Sequence, residues 1–206
     1  MSEDQPRLYL ATPPLAQTRD FLPALTSALS AGDVASLLIR FAGDDPRENE
    51  AILRALAPAA QEKGVAVLAE DAVNVALRGG ADGAHINGAG EELAEAVKKL
   101  SPKYIVGAGE LPTRDEAMRA GELNADYVLF DDDDLETLTE RVGWWAQLFN
   151  TPCVARAASL DRVSPLAQAG ADFILLDDAV WRDQRGPAAA VGDALKALQP
   201  GDREND

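Results

Sequence analysis

Val65–Asn87, VAVLAEDAVNVALRGGADGAHIN, is the stretch on which the fold turns. Val65–Ala69 is a short apolar run rich in valine, the composition of a strand buried on both faces. Glu70 and Asp71 stand just past its carboxyl end. Val73, Ala76 and Leu77 recur at the spacing of one helix face, and Arg78-Gly79-Gly80 stops that helix with glycine available for a left-handed cap. Gly83–Ile86 resumes as a second strand and carries His85, the only histidine in the chain. Two strands joined by one short helix are expected to run parallel, with a right-handed crossover.

The same unit recurs on both sides. Upstream, Leu8–Ala11 and Val34–Arg40 read as strands, and Phe21–Ala31 and Glu48–Lys63 as helices, the second in spite of Pro58. Downstream, strands at Tyr104–Gly107, Asp126–Phe130, Cys153–Ala155 and Phe173–Leu176 alternate with helices. Those helices are Gly90–Leu100, Arg114–Gly121, Leu135–Phe149, Leu160–Ala169 and Ala188–Leu198. In Gly90–Leu100, acids open the helix and lysines close it, as the helix dipole favours. Ala81-Asp82, Ala125-Asp126 and Ala171-Asp172 each precede a strand, with Gly32-Asp33 as a weaker fourth copy, one per two strand–helix units. Eight strands alternating with eight helices, repeating in this way, predict an α/β fold: a (β/α)8 TIM barrel. A single domain is expected over residues 7–198, between a frayed N-terminus at 1–6 and a polar C-terminal tail at 199–206.

Composition narrows the partners. The 206 residues carry a formal net charge of −16, which argues against nucleic acid or an anionic membrane surface. No apolar run reaches membrane-spanning length, and no basic-then-apolar signal opens the chain. The single cysteine, Cys153, excludes an internal disulfide framework and fits a reducing cytoplasm; lying in an apolar run, it reads as a buried structural thiol.

In a TIM barrel, ligands meet the carboxyl ends of the strands. Those ends supply Thr12, Arg40, Glu70-Asp71, His85 and Asn87, Gly109-Glu110, Asp131–Asp134, Arg156 and Asp177-Asp178. Carboxylates therefore dominate the expected mouth, with Arg40 and Arg156 as exceptions. Close carboxylates raise one another's pKa or recruit a divalent cation.

The central stretch resembles the thiamine-phosphate synthase family and its thiazole tautomerase relatives. That family shows an apolar strand ending in Asn-Asp, a helix, and then Gly-Ala-Asp-Gly-Val-His-Leu-Gly. Glu70-Asp71 stands at the Asn-Asp position, and Gly80–Ile86 matches the second part. The resemblance implies a barrel that joins a pyrimidine methyl diphosphate to a thiazole phosphate with magnesium, releasing pyrophosphate. It further implies a homodimer, Asp71 at the metal, Arg40 on the substrate and His85 shaping the catalytic pocket; Glu70 beside Asp71 at the metal and Arg156 on the substrate are expected from their places at the strand ends.

The match is stronger for strands than for the residues at their ends. Ile39-Arg40-Phe41-Ala42 keeps the arginine of the family's Leu-Arg-x-Lys and loses the lysine. Asn87–Gly90 replaces Gly-Gln-x-Asp and loses its carboxylate, and Gly107-Ala108-Gly109 lacks the serine of Gly-x-Ser. Asp131–Asp134 stands where Thr-x-Thr-Lys is usual. Ala155–Ala158 lacks the glycines of Ile-Gly-Gly-Ile, and Leu176–Ala179 carries Asp177 near the family's serine. Arg40, Asp71 and His85 survive. The expectation is a member that has diverged from synthase activity; the alternative is a working synthase.

Several residues keep two readings. Asp131–Asp134 is most simply a cap and acidic first turn for the following helix, against a metal cluster. Glu70-Asp71 is a helix cap or a cation site, with Asp131 converging in the latter case. His85 is bonded to backbone or orients a ligand, and Arg156 pairs with Asp177 or waits for phosphate. In the Leu135–Phe149 helix, Leu135, Leu138, Val142, Trp145 and Phe149 form a core stripe. Trp144 falls off it and is expected to anchor a dimer.

Overall fold

The computed structural model describes residues 5–19 and 21–199. Residues 1–4 of the expected frayed terminus and 200–206 of the expected tail lie outside them. Eight parallel strands close on themselves in chain order: β1 (Arg7–Ala11), β2 (Val34–Ile39), β3 (Ala66–Glu70), β4 (Gly83–Asn87), β5 (Ile105–Gly109), β6 (Tyr127–Phe130), β7 (Cys153–Arg156) and β8 (Phe173–Leu176). β1 pairs with β8, as Arg7 against Phe173 through Leu10 against Leu176, and this pairing closes the barrel.

Helices cover the outside: α1 (Leu22–Leu29), α2 (Pro46–Gln61), α3 (Val73–Gly79), α4 (Glu91–Leu100), α5 (Arg114–Glu122), α6 (Leu135–Leu148), α7 (Val163–Gln168), α8 (Asp178–Trp181) and α9 (Pro187–Leu198). Their ends follow local chemistry. Gly80 caps α3 with φ of 83°, as the glycine pair predicted. α2 starts two residues earlier than the apolar pattern implied, because Asp45 accepts from the Arg47 and Glu48 N–H groups and Pro46 suits the first helical position. α5 carries a capping box between Thr113 and Glu116. The expected Leu160–Ala169 helix instead opens as a 3-10 turn at Leu160–Arg162 before α7. α8 is an addition, because four residues show no periodicity to read.

The Ala-Asp repeat has a physical cause. The Asp82 N–H donates to the Val67 carbonyl at 2.7 Å, and its carboxylate accepts the Val67 N–H at 2.8 Å. Asp126 grips Val106 the same way, at 2.8 and 2.7 Å, and Asp172 grips Cys153, at 3.0 and 2.8 Å. Each aspartate thus pins the start of the preceding strand at the amino end of the barrel. The weaker copy, Asp33, instead pairs with the Arg7 side chain at 2.9 Å.

Side chains alternate along each strand. One phase of β2, β3, β6, β7 and β8 fills the barrel interior with Leu38, Leu68, Leu129, Val154 and Leu175, joined by Tyr9 and Tyr127. The other phase packs under the helices. Cys153 belongs to that outer layer, and burial pushes its thiol up to about 12, so it is no nucleophile at neutral pH. Among the described residues, no helix is long and apolar enough to cross a membrane.

Trp145 is fully buried in the α6 stripe with Leu138 and Val142. Trp144 is half-buried rather than exposed: it meets Trp145 and Phe149 edge-on, and the Arg114 guanidinium lies 4.8 Å from its ring centre. The exposed apolar side chain of this helix is Leu148, at 66%.

Candidate functional site

The inward phase of the strands, continued two residues past the leucine layer, delivers the site. Leu38 leads to Arg40, Leu68 to Glu70, His85 to Asn87, Leu129 to Asp131, Val154 to Arg156 and Leu175 to Asp177. These side chains line a cavity of about 480 Å³ at the carboxyl ends of the strands, with Glu110 on its rim. Asp71 is one residue out of phase and does not line it. Its backbone takes a left-handed φ of 46°, and its two oxygens accept the Asn87 N–H and Nδ2–H, both at 2.8 Å. Glu110, after β5, is also left-handed, at 49°, a conformation uncommon for a residue with a long side chain.

Asp177 is the electrostatic centre. It is 3% exposed, and its Oδ2 accepts Arg156 Nε at 3.0 Å, with Arg156 Nη2 at 3.0 Å and Arg40 Nη2 at 3.7 Å. Its Oδ1 is buried and, among the described residues, has no hydrogen-bond partner. Arg156 Nη1 reaches both Asp131 oxygens, at 3.2 and 3.0 Å. Burial works against the Arg156 charge, but Asp177 and Asp131 outweigh it and hold the guanidinium above its usual pKa. The Arg40 N–H donates to Thr12 Oγ1 at 3.0 Å, and its Nε to the Thr12 carbonyl. Both arginines expected to meet substrate are therefore engaged by the protein itself.

The acidic run behaves as a braced loop. Asp134 caps α6 through the Thr137 N–H at 2.8 Å, Asp132 accepts the Asp134 N–H and pairs with Arg141, and Arg162 holds the carbonyls of Asp132 and Asp133. Only Asp131 of the four lines the cavity.

Beneath the charged layer runs a polar thread. Tyr9 and Tyr127 share a 2.8 Å hydrogen bond between hydroxyls, and Tyr127 meets His85 Nδ1 at 2.8 Å. Burial pushes His85 down to about 4, against a smaller upward pull from a hydrogen bond with the Asn87 side chain. Burial raises Glu70 above the usual carboxylate range; Arg40 opposes that rise, Asp71 adds to it, and a hydrogen bond with Asn87 opposes it. Asn87 gives its N–H and Nδ2–H to Asp71 and lines the cavity with His85 and Glu70. Gly107 and Gly109 make room for the thread: a Cβ at Gly107 would enter the Tyr127 ring, and one at Gly109 would meet His85 Nε2. Asn87 was legible only as a strand end, and Tyr9 and Tyr127 only as members of strands.

The donor set was tested against the magnesium that the family resemblance implies. The Asp71 oxygens already accept from Asn87, Asp131 is held by Arg156, and Glu70 stands in the cavity. Among the described residues no three His, Cys, Asp or Glu side chains are grouped to hold a metal ion. Glu70 and Asp131 line the central cavity, and Asp71 does not.

The arrangement defines a class: a closed parallel barrel with a small-ligand cavity at the carboxyl ends of its strands. Residues 8–180 match the family described as thiamine monophosphate synthase, and the chain belongs to that family. It is 40% identical to a thiamine-phosphate synthase of Rhodospirillum centenum, covering 94% of this chain and 98% of that one. It is 37% identical to one of Hyphomonas neptunium, covering 90% of each. In fold it resembles a thiamine phosphate pyrophosphorylase of Pyrococcus furiosus, with a TM-score of 0.78, 24% identity and coverage of 95% and 96%.

Proposed function

We propose that this chain keeps the family's barrel and ligand cavity but does not carry out diphosphate displacement. The carrying observation is Asp177. Barrels of this architecture often bind phosphate between the loops after strands seven and eight and the N-terminus of a short extra helix. Here that helix is α8, and the residue before it is Asp177, a carboxylate already paired with Arg156 and near Arg40. An incoming diphosphate would have to displace a buried anion from both guanidinium groups, with Glu70, Glu110 and Asp131 close by. The cavity instead favours a small ligand that presents hydrogen-bond donors and no phosphate.

Incubation with the pyrimidine diphosphate, the thiazole phosphate and magnesium should yield almost no thiamine phosphate. Turnover of about 1 s⁻¹ or more, the ordinary enzyme range, would overturn this reading. The second reading is a working transferase, favoured by the names of the two relatives at 40% and 37% identity. It would place Arg40 and Arg156 on substrate, His85 in the pocket, and Asp71 with Glu70 at magnesium.

The proposal also takes the protein to be a cytoplasmic homodimer that docks through the face of α6. Leu148, with the half-buried Trp144 beside it, offers the apolar anchor. Light scattering at tens of micromolar should report a dimer, and Leu148→Glu with Trp144→Glu should shift it toward monomer. A monomeric wild type, or a double variant that stays dimeric, removes this face from consideration.

A further inference from the structure

We propose that Tyr9, Tyr127 and His85 form a hydrogen-bond chain of fixed direction, which locks His85 as the neutral tautomer with its proton on Nε2. The buried inner end imposes the direction. At the inner end, Tyr9 is buried among Leu38, Leu68 and Leu175, and among the described residues its hydroxyl bonds only Tyr127. If Tyr127 donated to Tyr9, the Tyr9 proton would have no acceptor, and a buried unmatched donor is disfavoured. Tyr9 therefore donates to Tyr127, and Tyr127 donates to His85 Nδ1 across 2.8 Å. Nδ1 is then an acceptor, and the ring proton sits on Nε2.

At the outer end, the Asp71 carboxylate only accepts. It takes the Asn87 backbone N–H and Nδ2–H, each at 2.8 Å, which fixes the amide with Nδ2 toward Asp71. Asn87 Oδ1 is then the amide atom beside Gly109. Nε2 and Oδ1 both border the space where a Gly109 side chain would stand, so only glycine leaves room for the pair.

The consequence concerns chemistry at the cavity. His85 lines the mouth, yet its outward nitrogen carries a proton, so it donates and cannot serve there as a general base. Groups able to accept a proton there are the carboxylates that line the same cavity, Glu70 among them. Tyr9 and Tyr127 are positioning residues that act through His85. This holds for either reading of the activity, so the outcome of the synthase assay does not decide it.

The sole histidine makes the test direct. Protein labelled with 15N-histidine gives one pair of ring nitrogens, and long-range 1H–15N correlations distinguish the tautomers. At pH 7 the wild type should show a pyridine-like Nδ1 and a pyrrole-like Nε2. A protonated Nδ1, an imidazolium or an averaged pair would overturn the proposal. In Tyr127→Phe, checked for folding by circular dichroism, the two shifts should move toward averaging or reverse. An unchanged pattern in the folded variant would show that the tyrosines do not set the tautomer. Should that variant not fold, the wild-type spectrum still decides.

Discussion

Asp177→Ser is expected to convert the mouth from one that excludes pyrophosphate into one that binds it, with affinity rising about tenfold or more. The carboxylate holds Arg156 at 3.0 Å and lies 3.7 Å from Arg40. Removing it leaves two guanidinium groups that need an anion, and charge-assisted hydrogen bonds to phosphate oxygens are among the stronger polar contacts. Serine also restores the type of residue that the resemblance places near this position. Breaking a fully buried ion pair costs about 3–5 kcal/mol. The guanidinium-bearing side chains here are 23% and 31% exposed, so water takes over part of the pairing and a loss of roughly 1–3 kcal/mol is expected. Calorimetry with pyrophosphate measures the first effect and urea unfolding the second. Equal pyrophosphate affinity in wild type and variant would mean that Asp177 is not what keeps the anion out.

The second large effect is a loss of stability in mild acid through His85. Its pKa is about 4 in the folded chain, because burial disfavours the charged ring, against about 6.5 when unfolded. Between those values the unfolded chain binds a proton that the native state refuses, so stability must fall as pH falls. The contribution is complete above about pH 6.5, is lost progressively below it, and is exhausted near pH 4. The difference corresponds to about 3 kcal/mol. The acidic residues titrate nearby, so the measurement is a comparison: urea unfolding of wild type and His85→Gln at pH 7 and pH 4.5. Wild type should lose more stability than the variant, by about 2 kcal/mol or more over that partial window. Parallel losses in the two proteins would show that the histidine does not bury an uncharged ring.

The barrel was legible because strands buried on both faces and helices with one apolar stripe leave different periods in the chain. The charged layer was legible too. Arg40, Glu70, Asp131, Arg156 and Asp177 each follow an inward leucine or valine by two residues, and that parity can be read without coordinates. The partnership of Arg156 with Asp177, weighed beforehand against phosphate binding, is what the structure contains. That Asp71 would turn to Asn87 while Glu70 lines the central cavity was not legible, because the left-handed turn after β3 sets it. The tyrosine–histidine thread was hidden for another reason. Tyr9 and Tyr127 are 118 residues apart, and His85 and Tyr127 are 42 apart. No local pattern marks a contact made across the inside of a barrel.

The aspartates that grip Val67, Val106 and Cys153 sit at the opposite end of the strands from every residue in the cavity. The end that sets register and the end that meets ligand therefore share no side chains. An insertion inside β3, β5 or β7 would have to break a two-bond clasp on backbone, whereas the loops that follow β4, β6 or β8 can lengthen without disturbing one. Such a barrel is free to trade one mouth for another while its foundation stands still, and a phosphate-binding rim can give way to an acidic one without the strands ever changing partners.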